Sequence, residues 1–153
     1  SFPTRRSSDL VLANKGSMSR ALCGEIMSNY AKKRGLAGII IDGCVRDSYT
    51  LSQMDFPVYA KGITPNGPYK NGPGEMNFPV SFGGIIINPG DILVGDSDGL
   101  IAIDPKNAEE LAKIAKAYHE GEENQLDGII NRGEWPRPWV QDSLEKVGFE
   151  FVD

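Results

Sequence analysis

The chain has 153 residues, 40% of them apolar, and a formal net charge of −5 at pH 7. That length supports one hydrophobic core of ordinary size, so a single domain is expected. No apolar run approaches the roughly 18 residues of a membrane helix, and the acidic balance argues against non-specific binding to nucleic acid or anionic membrane, which rests on clustered Lys and Arg.

The first ten residues, SFPTRRSSDL, have neither the apolar core of a signal peptide nor the period of a helix or strand. They resemble a translated sequencing-adapter read and are set aside as a non-native leader, which leaves residues 11–153 as the domain, with its N-terminal part missing. The next periodic stretch, GEIMSNYAKKRG at 24–35, predicts a helix with Ile26, Met27, Tyr30 and Ala31 on one face. Lys32, Lys33 and Arg34 suit its negative C-terminal end, and Gly35 is a natural left-handed stop. AGIIID at 37–42 then reads as a short strand covered on both faces.

DGCVRD at 42–47 reads as a loop leading into a helix-compatible stretch, Ser48 to Met54, which sets Arg46 and Asp47 at a strand-to-helix junction. Two readings stand there. In one, the junction holds an anion, because backbone N–H groups and the positive helix end converge on it. In the other, Asp42-Gly43 is a turn and Asp47 merely caps the helix that follows.

Residues 56–79 form a long irregular stretch punctuated by two NGP triplets, at 66–68 and 71–73, fit for a lid, a subunit contact or a surface excursion. VSFGGIIINPGDILVGDSDGLIAID reads as three short strands, with turns at Pro89-Gly90 and Asp98-Gly99, and ILVG-DSDG-LIAI is a hairpin signal. Asp91, Asp96 and Asp98 lack the EF-hand spacing, so no calcium loop is expected. Asp104-Pro105 opens a helix to about His119 with Leu111, Ile114, Ala115 and Tyr118 facing a core. A short helix near 123–131 follows, in an extension of about 121–153 whose Trp135 and Trp139 cover either the core or a neighbouring subunit.

Two cysteines without CxxC spacing, Cys23 and Cys44, suggest a reducing compartment, so the cytoplasm is expected. The single histidine, His119, excludes sites that need two and reads as a solvated residue near a helix end. Carboxylates and arginine must carry most of the chemistry.

RALCGEIM, GLAGIIIDGCVRD, FPVYAKG and NPGDILVGDSDGLIAI, in this order, resemble the RraA-like family over roughly residues 11–120. The resemblance implies an α/β fold, a layered swivelling-type β/β/α domain with a central β-sandwich flanked by helices. It implies a homotrimer or a pair of trimers (a hexamer), with active sites between subunits. It also implies a divalent-metal aldolase for 4-hydroxy-2-oxo-diacids, such as 4-hydroxy-4-methyl-2-oxoglutarate and 4-carboxy-4-hydroxy-2-oxoadipate, with oxaloacetate decarboxylase activity.

By that resemblance Asp47 is the direct ligand of Mg²⁺ or Mn²⁺, Arg46 contacts the oxo-acid, and the N–H groups of Gly24, Glu25, Ile26 and Met27 hold its carboxylate. Glu25 would reach metal-bound water, although many relatives have Asp there, and a further acid would come from a neighbouring subunit, with Glu122 or Glu123 as candidates. The chemistry agrees: C–C cleavage beside a ketone leaves a pyruvate enolate, whose charge a metal and a planar guanidinium stabilise. Lys32, Lys33, Lys61 and Lys70 have no context implying the lowered pKa of a Schiff-base aldolase. The rival class is a non-catalytic regulator that binds a ribonuclease. A methyltransferase is discarded because no Gly-rich nucleotide loop follows a strand.

Overall fold

In a computed structural model describing residues 8–72 and 74–149, the chain runs β1 (Ser8–Ala13), β2 (Ala21–Cys23), α1 (Glu25–Lys33), β3 (Leu36–Val45), α2 (Ser48–Ser52) and β4 (Val58–Ile63). Four short strands follow: β5 (Val80–Phe82), β6 (Ile85–Ile87), β7 (Ile92–Gly95) and β8 (Leu100–Ile103). The helices α3 (Ala108–Asp127) and α4 (Pro138–Lys146) complete it. The chain divides into two compact units, 1–105 and 106–153.

The first unit is built on β3, which pairs in parallel with β4 along one edge and with β1, then β2, along the other. Ile39, Ile41 and Val45 pack with Ala31 of α1, Leu51 of α2 and Phe56, while Ile40 faces the opposite side. Covering both faces is what a continuous apolar run such as IleIleIle requires, since each such side chain gains about 1.5–3 kcal/mol on full burial. On the Ile40 side, Tyr59 and Ala60 of β4 share a hollow of about 400 Å³ with Phe82, Ile87, Leu93 and Leu100 of the hairpins. The expected mixed α/β architecture is the one that forms.

Several local expectations change. β3 continues through Val45, so residues 42–45 are strand, not loop. Asp42 is buried within it rather than turning: its Oδ2 accepts the Gly16 N–H at 2.8 Å and its Oδ1 meets the Lys61 ammonium. Backbone partners on β2 and β4 hold this segment extended against its turn-like composition. β1 starts at Ser8, so the last three residues of the set-aside stretch join the sheet, pairing with β3; residues 1–7 lie outside the described residues.

The region 80–103 holds four strands, not three, because Gly83 and Gly84, both at positive φ, make an additional hairpin turn between β5 and β6. The β7–β8 hairpin forms as expected, with Gly95 opposite Leu100. Its loop is held by the Asp96 carboxylate, which accepts the N–H groups of Asp98 and Gly99, rather than by positive φ at Asp98-Gly99.

A 3₁₀ turn at Pro105–Asn107 leads into α3 of the second unit, which runs past His119 to Asp127 and closes in a π-helical turn, Gly128–Arg132. The separate helix expected near 123–131 is therefore the end of one long helix. Leu111, Ile114 and Tyr118, expected to face a core, are exposed, as are Trp135 and Trp139. Amphipathic spacing predicts that a stripe seeks cover without saying that the same chain supplies it. His119 is exposed in mid-helix, with Nε2 3.5 Å from Glu123 Oε1.

Candidate functional site

Arg46 and Asp47 stand where β3 ends and α2 begins, beside the N-terminus of α1. Arg46 is tied to β2 by its N–H, which donates to Cys23 O at 3.0 Å. Asp47 takes the left-handed conformation (φ 57°, ψ 36°), a strained choice that aspartate tolerates better than most residues. The consequence is where the carboxylate goes. It makes no capping bond to α2, against the expectation of a plain helix cap; instead Oδ2 accepts the Glu25 N–H at 3.0 Å and lies 3.6 Å from Arg46 Nε.

Gly24 permits this approach. Its backbone is extended (φ −156°), open to any residue, so its reason is space. A Cβ there would fall 2.5 Å from Asp47 Oδ2 and 2.8 Å from Arg46 Cγ. Gly67, from the first NGP triplet, abuts the guanidinium from another side, where a Cβ would lie 3.3 Å from Arg46 Nη1. Arg46 thus runs past two bare α-carbons.

The first turn of α1 supplies directed N–H groups. Ser28 N–H returns to Gly24 O at 3.1 Å, whereas those of Glu25, Ile26 and Met27 have no carbonyl within their own helix to bond. The Ile26 and Met27 side chains are exposed, and the Glu25 carboxylate sits on the exposed first turn. All six residues expected at the site therefore come together: Gly24, Glu25, Ile26 and Met27 on the helix start, Arg46 and Asp47 across from it. The side chains of Arg46 and Asp47 are 44% and 39% exposed, open enough to meet a solute.

Among the described residues no three His, Cys, Asp or Glu side chains gather as a ready metal cage. The donor set here, the solvent-accessible Asp47 carboxylate beside a second acid, Glu25, whose N–H it accepts, suits a hard cation that keeps most of its water, as Mg²⁺ does. The two apolar hollows of the first unit, about 400 and 560 Å³, are lined by neither Arg46 nor Asp47.

Sequence reasoning missed Arg20 and Gly67. Arg20 Nη1 donates to Gly67 O at 2.8 Å and its guanidinium lies 3.9 Å from the Tyr69 ring centroid. The triplet at 66–68 was the available signal; the second triplet ends at residue 73, outside the described residues.

Residues 4–102 match the family model described as RraA-like, Aldolase/RraA. The match takes in residues 4–10 of the stretch set aside from the sequence. A protein of Halalkalibacterium halodurans provisionally named 4-hydroxy-4-methyl-2-oxoglutarate aldolase is 38% identical over 125 residues, which cover 79% of this chain and 59% of that one. Among solved structures, Streptomyces coelicolor RraAS2, described as an unusual member of the RNase ES inhibitor RraA protein family, superposes with TM-score 0.69 at 31% identity, covering 75% of this chain and 59% of that one. A Geobacillus kaustophilus protein described as S-adenosylmethionine:2-dimethylmenaquinone methyltransferase gives TM-score 0.61 at 38% identity, covering 65% and 63%. The chain spans about three fifths of the length of the relatives it matches.

Proposed function

Because the chain belongs to the RraA-like family, we propose that it is a lyase that cleaves 4-hydroxy-2-oxo-diacids to pyruvate and a second oxo-acid, and that it also decarboxylates oxaloacetate. The observation that carries this reading is the convergence of a fixed cation, a carboxylate and a helix N-terminus: Arg46 Nε and Glu25 N–H lie 3.6 and 3.0 Å from Asp47 Oδ2.

In this reading the substrate's terminal carboxylate binds the first-turn N–H groups of Ile26 and Met27 and shares that of Glu25 with Asp47, where helix polarity favours an anion. The Arg46 guanidinium reaches the 2-oxo oxygen with planar, two-point geometry. The 4-hydroxyl gives its proton to water as the C3–C4 bond breaks, C4 becomes the carbonyl of the departing oxo-acid, and the electron pair of the broken bond stays on C3 and spreads onto the 2-oxo oxygen as the pyruvate enolate. Protonation at C3 then gives pyruvate. Decarboxylation of oxaloacetate leaves the same enolate, with CO₂ departing instead. Arg46, permanently charged, stabilises the enolate oxygen in both.

Asp47 would hold Mg²⁺ or Mn²⁺ directly and Glu25 through water; such an ion supplies Lewis-acid polarisation worth on the order of several kcal/mol. The exposed Ile26 and Tyr30 beside the site fit its closure by a neighbouring subunit in a trimer or hexamer, which would also bring the further acid. A cytoplasmic setting fits the two free, buried cysteines. Among the described residues no helix is long and apolar enough to cross a membrane. Methyl transfer fits less well, because Gly24 at the β2–α1 junction is packed against Arg46 and Asp47 instead of opening a cradle for a nucleotide.

The test is pyruvate release from oxaloacetate and from a 4-hydroxy-2-oxo-diacid, with Mg²⁺, with chelator, and in Asp47→Ala. Metal-dependent release that the substitution abolishes supports the lyase. No release from either acid by folded, metal-supplied protein refutes it in favour of a non-catalytic regulator binding a ribonuclease or another protein partner, a reading supported by the Streptomyces neighbour's place in an RNase ES inhibitor family.

A further inference from the structure

The loop after β4 returns to the candidate site by four connections. Thr64 N–H donates to Val45 O at 3.0 Å, immediately before Arg46, and Ala21 N–H donates to Asn66 O at 2.8 Å, immediately before Leu22. Asn66 Nδ2 reaches Ser19 O at 3.2 Å, and Arg20 Nη1 reaches Gly67 O at 2.8 Å while its guanidinium covers Tyr69. Three of these use groups that a substitution at position 20 does not itself remove, so how firmly they hold reports on the anchoring of the loop. The Arg20 contacts are different: they fix Tyr69 and Gly67, and Gly67 lies against Arg46.

We infer that Arg20 is a positioning residue, which clamps the Asn66–Tyr69 segment so that Gly67 walls the Arg46 guanidinium into the place where it meets an oxo-acid. Arg20 itself touches no reacting atom. Its guanidinium grips a carbonyl and an aromatic ring at once, which the point charge of lysine cannot reproduce in the same geometry. Gly67 completes the device: a Cβ there would lie 3.3 Å from Arg46 Nη1, so a methyl group makes the guanidinium give by a few tenths of an ångström. The role at the site rests on the oxo-acid reading; the clamp itself does not.

The experiment compares wild type with Arg20→Met, which keeps the apolar stem and removes both contacts, and with Gly67→Ala. Amide hydrogen exchange reads the clamp without any ligand, through the Ala21 N–H held by Asn66 O. Losing a hydrogen bond and a cation–π contact predicts about tenfold faster exchange of that amide in Arg20→Met, with β3 amides unchanged. Unchanged exchange at Ala21 overturns the clamp.

Binding of oxalate, a two-carboxylate mimic of the pyruvate enolate, is measured by calorimetry with Mg²⁺ present, beside KM and kcat for oxaloacetate. Expected are an about tenfold weaker oxalate affinity and a matching rise in KM in both variants, with kcat within about threefold. A fall in kcat and melting temperature at unchanged KM would mark Arg20 as merely structural and overturn its positioning role. If Ala21 exchange speeds up but wild type neither binds oxalate nor releases pyruvate, the clamp stands and it is the oxo-acid reading that fails.

Discussion

Replacing Gly24 by alanine separates the site from the fold. The new Cβ would lie 2.5 Å from Asp47 Oδ2, and ordinary contact begins at 3.4 Å, so the carboxylate must retreat by about 0.9 Å or the helix start must shift. Retreat weakens the Glu25 N–H bond, now 3.0 Å, and disturbs Arg46, whose Cγ would be 2.8 Å away. For a carboxylate 39% exposed, that bond contributes about 1 kcal/mol once solvent screening is allowed for. A weaker cap at alanine costs about 0.5 kcal/mol more. The stiffer unfolded chain returns roughly 0.4–1 kcal/mol, because φ −156° suits alanine without strain. The net loss is about 1 kcal/mol, a fall of roughly 3 °C in melting temperature at this length. Displacing reacting groups by about 1 Å costs on the order of 100-fold in rate. Urea unfolding followed by circular dichroism, beside a dehydrogenase-coupled pyruvate assay, should thus show near-native stability with pyruvate release down about 100-fold. Undiminished release would refute the argument that this close packing defines the site, and a stability loss above about 3 kcal/mol would show that Gly24 serves the fold instead.

Ile41→Ala, at a fully buried position of β3, should cost about 3 kcal/mol in urea unfolding; under 1 kcal/mol would mean that the site collapses around the missing methyls. Asp42→Ala strips the partner from Lys61 and from the Gly16 N–H and should cost about 2 kcal/mol, less than a fully buried pair because Lys61 is 41% exposed. Scanning calorimetry against the conservative Asp42→Asn, which keeps an acceptor for Gly16, separates the two contributions. Desolvation by its neighbours pushes the Asp9 carboxyl above its ordinary range, so the folded state holds that proton more tightly than the unfolded chain does. The stability this confers is complete below the unfolded carboxylate pKa and is lost as pH rises through the folded one. Asp9→Asn should therefore raise the melting temperature at pH 7 and leave it unchanged near pH 3; an equal rise at both would assign the effect to something other than charge.

The sequence alone was enough to determine those features that depend on neighbours along the chain. The helical face of 24–35 and its left-handed stop at Gly35 follow from spacing and from glycine's missing Cβ, and the buried strand around Ile39–Ile41 follows from an apolar run too dense for a one-sided sheet. The β7–β8 hairpin was legible for the same reason, since turn chemistry is local. Arg46-Asp47 and Gly24-Glu25 could be singled out as motifs, but the residues alone left a plain cap as plausible as a site. Tertiary structure removed the plain cap, because the left-handed backbone at Asp47 turns its carboxylate away from its own helix and onto the N–H of another, 22 residues earlier. Asp42 went the other way: its composition spells a turn, and pairing with Ala13 of β1, with Cys44 and Val45 held between β2 and β4, made it strand. Arg20 and Gly67 lie 47 residues apart and carry no periodic signal, so only the folded path of the loop after β4 could bring them together beside Arg46.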